Sequence, residues 1–155
     1  MIPATLCFCF QGDPPKSVLL GYKKRGFGQG KYDGFGGKLR DGESLLVAAG
    51  RELTEESGLT AELSDLAPIG VLTFIFPFKP VWNQEVHVYM VQKWQGIPTE
   101  SEEMRPEWFP LQAIPYAQMW DDTRIWLPQL LGGQKVNAIF SFNSDNETVR
   151  EYTLF

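Results

Sequence analysis

The chain has 155 residues, 43% of them apolar and 14% aromatic, which supplies a core and excludes a disordered or collagen-like polymer. Its formal net charge of −5 argues against a protein that coats long DNA or RNA. The charge is uneven: residues 1–40 hold seven basic and two acidic side chains, and residues 41–155 hold seven basic and seventeen acidic ones. One domain spanning 1–155 with a site that handles both signs of charge is expected.

Ala4–Phe10 reads as a strand, Gln11–Pro15 as a turn and Ser17–Lys24 as a second strand. Cys7 and Cys9 then share one strand face, too strained for a disulfide and best read as small buried hydrophobes. The start of the chain lacks a basic segment followed by an apolar one, and no run of about 18 apolar residues occurs anywhere. A cytoplasmic protein that does not enter membranes is expected. Residues 26–37 carry too many glycines for a helix interior.

Ser44–Ser57 reads as a helix, with Leu46, Ala49, Gly50 and Leu53 as its buried stripe, Ser44 as N-cap and Gly58 as the residue that ends it. Ile69–Phe76, Glu85–Trp94, Lys135–Phe142 and Thr148–Leu154 read as strands, the last two joined by a polar turn at Asn143–Asn146. Asp121 or Asp122 can cap a second helix that runs to Leu131, contains Pro128 and stops at Gly132-Gly133. His87, the only histidine, sits in an alternating strand and reads as structural. The elements describe a mixed α/β protein of the α+β kind.

The first helix carries the chemistry. Glu52, Glu55 and Glu56 stand at i, i+3 and i+4 and share a face. Three converging carboxylates repel unless protons or a metal neutralise them, and hard oxygen donors suit Mg²⁺, with Mn²⁺ as the alternative. Arg51 stands at i, i+4 from Glu55 and can orient it. By spacing alone the three acids also fit a solvated helix surface, the commoner arrangement.

The surrounding pattern favours the metal. Gly37, five residues, Glu43, seven residues and then Arg51-Glu52-Leu53-Thr54-Glu55-Glu56-Ser57-Gly58-Leu59 resemble the signature of the Nudix hydrolases without gap or substitution. Chance agreement at one starting point is on the order of 10⁻⁸ or less. The resemblance implies a Nudix fold, with a mixed β-sheet sandwiched between helices. It also implies metal-dependent hydrolysis of a nucleoside diphosphate linked to a further group. Glu52, Glu55 and Glu56 match the family's metal ligands, and the Gly36 carbonyl matches its backbone ligand.

Further segments narrow the resemblance to the animal, MutT-type members that act on oxidized purine nucleoside triphosphates. These are Leu19–Gly28, Gly34–Lys38, Glu52–Thr60, Val86–Val88, Glu103–Pro106, Trp108-Phe109, Met119-Trp120 and Tyr152–Leu154. The implied reaction converts 8-oxo-dGTP or 2-oxo-dATP to the monophosphate and pyrophosphate by water attack between the α- and β-phosphates, in a monomer. By position, Lys23 reaches the nucleotide, and Phe27 and Trp120 flank the purine. Phe35, Gly36, Gly37 and Lys38 line the floor and the phosphate approach, and Phe74 and Met104 form apolar walls. Asp33 and the acids after Trp120 read the base edge. Glu103 joins the metal set from a loop or acts as general base.

Three positions depart from that subgroup. Asp33 stands where it has a purine-reading Asn, and Phe8 where it has a threonine. Asp121-Asp122-Thr123 replaces its Pro-Asp-Asp. Alignment on Trp120 and Trp126 puts Asp122 and Thr123 on the two acids, whereas a slip of one residue puts Asp121 and Asp122 there. An ionised Asp33 only accepts hydrogen bonds, and a protonated one can donate. Two rival readings stand beside this one. One is another Nudix substrate, such as a methylated purine triphosphate, a dinucleoside polyphosphate or capped RNA. The other is a nucleotide sensor that has lost catalysis.

Overall fold

The computed structural model describes residues 1–155. Eight strands form one sheet: β1 (Ile2–Gln11), β2 (Ser17–Lys23), β3 (Tyr32–Asp33), β4 (Leu66–Ile75), β5 (Gln84–Val91), β6 (Met104–Pro110), β7 (Val136–Phe142) and β8 (Val149–Leu154). The order is β3-β2-β1-β5-β4-β7-β8, with β6 paired to β2. The β1–β5 and β4–β7 pairs are parallel and the others antiparallel, so the sheet is mixed.

Two helices, α1 (Leu45–Ser57) and α2 (Thr123–Leu131), pack on it. Side-chain alternation along β1 separates two cores. Cys7 and Cys9 face Ala49 and Leu53 of α1, while Phe8 and Phe10 face Trp126, Leu127 and Leu130 of α2. Both cysteines are free and fully buried. Burial pushes the Cys9 thiol up to about 12 and the Cys7 thiol higher, so neither offers a thiolate nucleophile.

The expected caps of α1 are present: the Ser44 hydroxyl accepts from Val47 N–H at 3.2 Å, and Gly58 takes φ 80°. The buried stripe differs from the expected one. Leu46 is exposed, and the inward face carries Ala48, Ala49, Leu53, Glu56 and Ser57. Alanines let the helix sit close to β1, and that rotation turns Glu56 inward.

No strand was expected at β6, because Pro106 and Pro110 interrupt its pattern. Its only strand partner is β2, so it is an edge strand, where a missing N–H is tolerated. Its register sets Met104 opposite Lys23 and brings the preceding acidic loop beside the end of β2.

Candidate active site

A cavity of about 310 Å³ opens over the ends of β1, β2 and β4. Lys23, Glu56, Gly36, Gly37 and Lys38 line its acidic and basic end. Asp33, Asp122 and Thr123 line its polar floor, and Phe27, Trp120, Phe74 and Met104 belong to its apolar walls.

The glycine segment is held against β1 by backbone bonds. Cys7 N–H donates to Phe35 O at 2.7 Å, and Thr5 N–H to Gly37 O at 2.9 Å. The Gly36 peptide between them faces the other way, and its N–H donates to Glu56 Oε1 at 2.9 Å. A Cβ on residue 36 would lie 1.8 Å from the Thr5 carbonyl oxygen, and one on residue 37 would lie 2.9 Å from the Glu52 carboxylate. Position 36 therefore needs glycine for its close approach to backbone, whereas position 37 meets only the movable end of a side chain. Phe35 departs from its expected place: its ring is fully buried on the α1 side of the sheet and does not line the cavity. Strand alternation sends it there.

The three helix glutamates do not converge on one point. Glu56 is 4% exposed and points inward. Its second oxygen lies 3.6 Å from Lys23 Nζ, which also donates to Glu103 Oε2 at 3.3 Å. Burial raises the Glu56 carboxyl to about 7, with Glu52 and Glu103 adding to the rise and Lys23 and the Gly36 N–H opposing it. Glu52 accepts from Arg51 Nη1 at 2.8 Å, and burial raises its carboxyl also.

Glu55 is 46% exposed and accepts from Arg40 at 3.1 Å and Arg51 at 3.3 Å. Arg51 and Arg40, together with Lys23, thus provide neutralisation that the sequence led one to expect from protons or a metal. No three acidic, histidine or cysteine side chains stand in the arrangement of a preformed metal cluster.

Arg51 is fixed from several sides. Its Nε and Nη2 hold the two Glu43 oxygens at 2.6 and 2.8 Å, and Nη2 also donates to the Lys38 carbonyl at 3.2 Å. These bonds draw the Glu43 carboxyl down to about 2. The basic run beyond Lys23 is paired as well: Lys24 binds Glu100 and the Ser101 carbonyl, and Arg25 binds Glu102. Lys24 N–H donates to Glu103 O at 2.7 Å, which holds Glu103 in the loop expected for it.

At the polar floor of the cavity, burial raises Asp33 and Asp122 each to about 7. Asp33 accepts from Gly34 N–H at 2.8 Å, and its neighbour Asp122 adds to its rise. Asp122 is 3% exposed and accepts from Trp126 Nε1 at 2.7 Å. It stands at the start of α2 but makes no side-chain cap, because that carboxyl turns inward to the indole.

Asp121 lies outside the cavity. It accepts from Arg124 at 2.9 Å and from Val149 N–H at 2.8 Å, which lowers its carboxyl. The structure thus sets Asp122 and Thr123 at the floor, the register obtained by aligning on the two tryptophans. Phe8 packs edge-on against Trp126 at 5.7 Å beneath them.

Phe27 and Trp120 stack directly on each other, 5.1 Å between centroids at 25°. A base held between two rings needs about 7 Å, twice an ordinary contact distance. The expected flanking pair is therefore in mutual contact and must part to admit a purine. Trp82 meets Phe27 edge-on at 4.9 Å, and Lys31 Nζ lies 4.8 Å over the Trp120 ring. Neither Trp82 nor Lys31 was anticipated. Trp82 arrives on the β4–β5 connection, and no local pattern links it to the site.

The NUDIX domain family matches residues 2–130. The chain belongs to the Nudix family. This Nudix hydrolase is 46% identical over 140 residues to the oxidized purine nucleoside triphosphate hydrolase of Mus musculus, covering 90% of this chain and 87% of that protein. It is 44% identical over 135 residues to the Danio rerio protein of the same name, covering 87% and 85%. Its fold matches a crystal structure of the mutator MutT protein from Bacillus halodurans with a TM-score of 0.84, 23% identity and coverage of 99% and 97%. A MutT Nudix hydrolase from Burkholderia pseudomallei matches at 0.65, with 25% identity and coverage of 81% and 95%. No helix of this Nudix hydrolase is long and apolar enough to cross a membrane.

Proposed function

We propose that this enzyme hydrolyses oxidized purine nucleoside triphosphates of the 8-oxo-dGTP and 2-oxo-dATP type to the monophosphate and pyrophosphate. The observation that carries the reading is one continuous cavity. Its floor presents two carboxyls, Asp33 and Asp122, poised to ionise near pH 7, and its other end presents Lys23, Lys38 and Glu56. The relatives in Mus musculus and Danio rerio are named oxidized purine nucleoside triphosphate hydrolases.

Each base-reading carboxyl offers a donor when protonated and only acceptors when ionised. An ionised Asp33 suits the N1–H and N2–H edge of a guanine. A protonated neighbour can donate to a base carbonyl, so the pair serves two oxidized purines. Phe27 and Trp120 close on the base faces, and Lys23 and Lys38 counter the phosphates. Glu103, half-exposed beside Lys23, can take a proton from the attacking water.

The residues fit a divalent cation, Mg²⁺ or Mn²⁺. Buried Glu56 is a hard oxygen donor whose carboxyl is raised mainly by burial, with Glu52 and Glu103 adding to the rise, so a cation beside it would stabilise the charged form. Glu52, Glu56, Glu103 and the Gly36 carbonyl would hold the ion, and Glu55 would join on leaving its two arginines. When bound, such an ion neutralises phosphate charge and activates water. We place the reaction in the cytoplasm, in a monomer of one domain, with a small nucleotide and no long nucleic acid.

The test is pyrophosphate release from 8-oxo-dGTP, 2-oxo-dATP, dGTP and capped RNA, with and without Glu56→Gln. Fast release from the oxidized purines, abolished by the substitution, is expected. Faster turnover of capped RNA refutes the substrate class, and tight nucleotide binding without release refutes catalysis.

A further inference from the structure

Of the cations that neutralise the acids of the site, Arg51 and Lys23 are held very differently. Arg51 is anchored to Glu43, to the Lys38 carbonyl and to Glu52, so it cannot leave without breaking several bonds. Lys23 is pinned only through its backbone, to Lys31 O at 2.9 Å and Gly30 N–H at 2.9 Å. Its ammonium pairs with two groups alone, Glu56 at 3.6 Å and Glu103 at 3.3 Å. Those are carboxylates from different elements, α1 and the loop before β6, and Lys23 is what bridges them. The side chain keeps 21% exposure and lines the cavity, so it has somewhere else to go.

A divalent ion bound by Glu56 and Glu103 competes with that ammonium for the same oxygens. Like charges at this range repel, and one must move. We infer that Lys23 is an exchangeable counter-ion. It holds Glu56 and Glu103 in the metal-free enzyme, and metal loading displaces it into the cavity, where it meets the nucleotide. The inference rests on the metal-site reading above. It adds an order of events: metal binding frees the residue that captures substrate, so the two ligands favour each other.

The test reads Mn²⁺ affinity of the nucleotide-free protein by electron paramagnetic resonance. Lys23→Met removes the competitor, so Mn²⁺ is expected to bind on the order of tenfold more tightly, and the metal-free protein is expected to melt at a lower temperature. Lys38→Met removes a cavity-lining charge that has no carboxylate partner and is expected to change Mn²⁺ affinity less than about twofold. In unmodified protein, the Lys23 side-chain NMR resonances should shift when Mg²⁺ is added without nucleotide.

Unchanged or weaker Mn²⁺ binding in Lys23→Met, equal tightening in both variants, or a Lys23 resonance indifferent to Mg²⁺ overturns the exchange. Mn²⁺ binding that survives Glu56→Gln unchanged would instead overturn the metal-site reading itself, so the two failures are distinguishable.

Discussion

Replacing Asp122 by Asn is expected to make the protein more stable at pH 8 and by a much smaller margin at pH 5. Asp122 is 3% exposed, and burial raises its carboxyl from an ordinary 3.8 to about 7. Between about pH 4 and pH 7 the folded protein keeps a proton that the unfolded chain has lost, so stability falls as pH rises through that window. Above it, the ionised buried carboxylate costs about 4 kcal/mol. Asn removes that charge, keeps the shape, and can still accept from Trp126 Nε1 through its carbonyl oxygen. Its amide hydrogens face the cavity and recover part of their hydration, which trims the gain to about 2–4 kcal/mol. For a chain of this size that corresponds to about 5–10 °C in melting temperature. Thermal unfolding followed by circular dichroism at both pH values measures it. An equal shift at pH 5 and pH 8, or a loss at pH 8, refutes the assignment of Asp122 as a carboxyl buried at the expense of stability. The same variant is expected to discriminate purines poorly, since a fixed donor replaces a titrating group.

The two neighbouring glycines should respond differently to alanine. Gly36→Ala drives a Cβ to 1.8 Å from the Thr5 backbone oxygen, and a loss above about 4 kcal/mol, seen as insoluble or unfolded protein, is expected. Gly37→Ala meets only the movable end of Glu52 at 2.9 Å, so the variant should fold with kcat lowered by about tenfold to a hundredfold; wild-type kcat would show that Glu52 is dispensable. Asp33→Asn is expected to change the ratio of kcat/KM for 8-oxo-dGTP and 2-oxo-dATP by an amount worth about 1–3 kcal/mol, and an unchanged ratio removes Asp33 from base reading. Arg51→Lys loses the two-pronged grip on Glu43 and should lower stability by about 1–3 kcal/mol, with kcat falling more than KM changes; steady-state kinetics and denaturant unfolding report both.

The legible parts of the molecule are those written locally. Ser44 and Gly58 mark the ends of α1, and glutamate spacing marks a charged face, because caps and helical period act within a few residues. Which glutamate turns inward is not local. It follows from the rotation of α1 on β1, set by Ala48, Ala49 and Leu53 against a sheet assembled from distant segments. The arginine cage around Glu55 was hidden for the same reason, since Arg40 lies outside the helix. Prolines masked β6, whose pairing with β2 is a tertiary fact. Asp121 and Asp122 were interchangeable on paper, and only the burial of Trp126 separates them. Phe35 was assigned to the cavity by position, but strand alternation puts its ring on the opposite face.

The contact between Phe27 and Trp120 has a bearing on selectivity. In the free enzyme each ring already shields the other from water, so a base that slides between them swaps one aromatic contact for two. The net gain is a single stacking interface, and every purine, damaged or intact, earns roughly the same amount. Ring stacking thus sets a uniform threshold for entry rather than a preference. Under the proposed function, discrimination between an oxidized purine and its parent would then fall to the carboxyls on the cavity floor, Asp33 and Asp122, and to where they keep their protons.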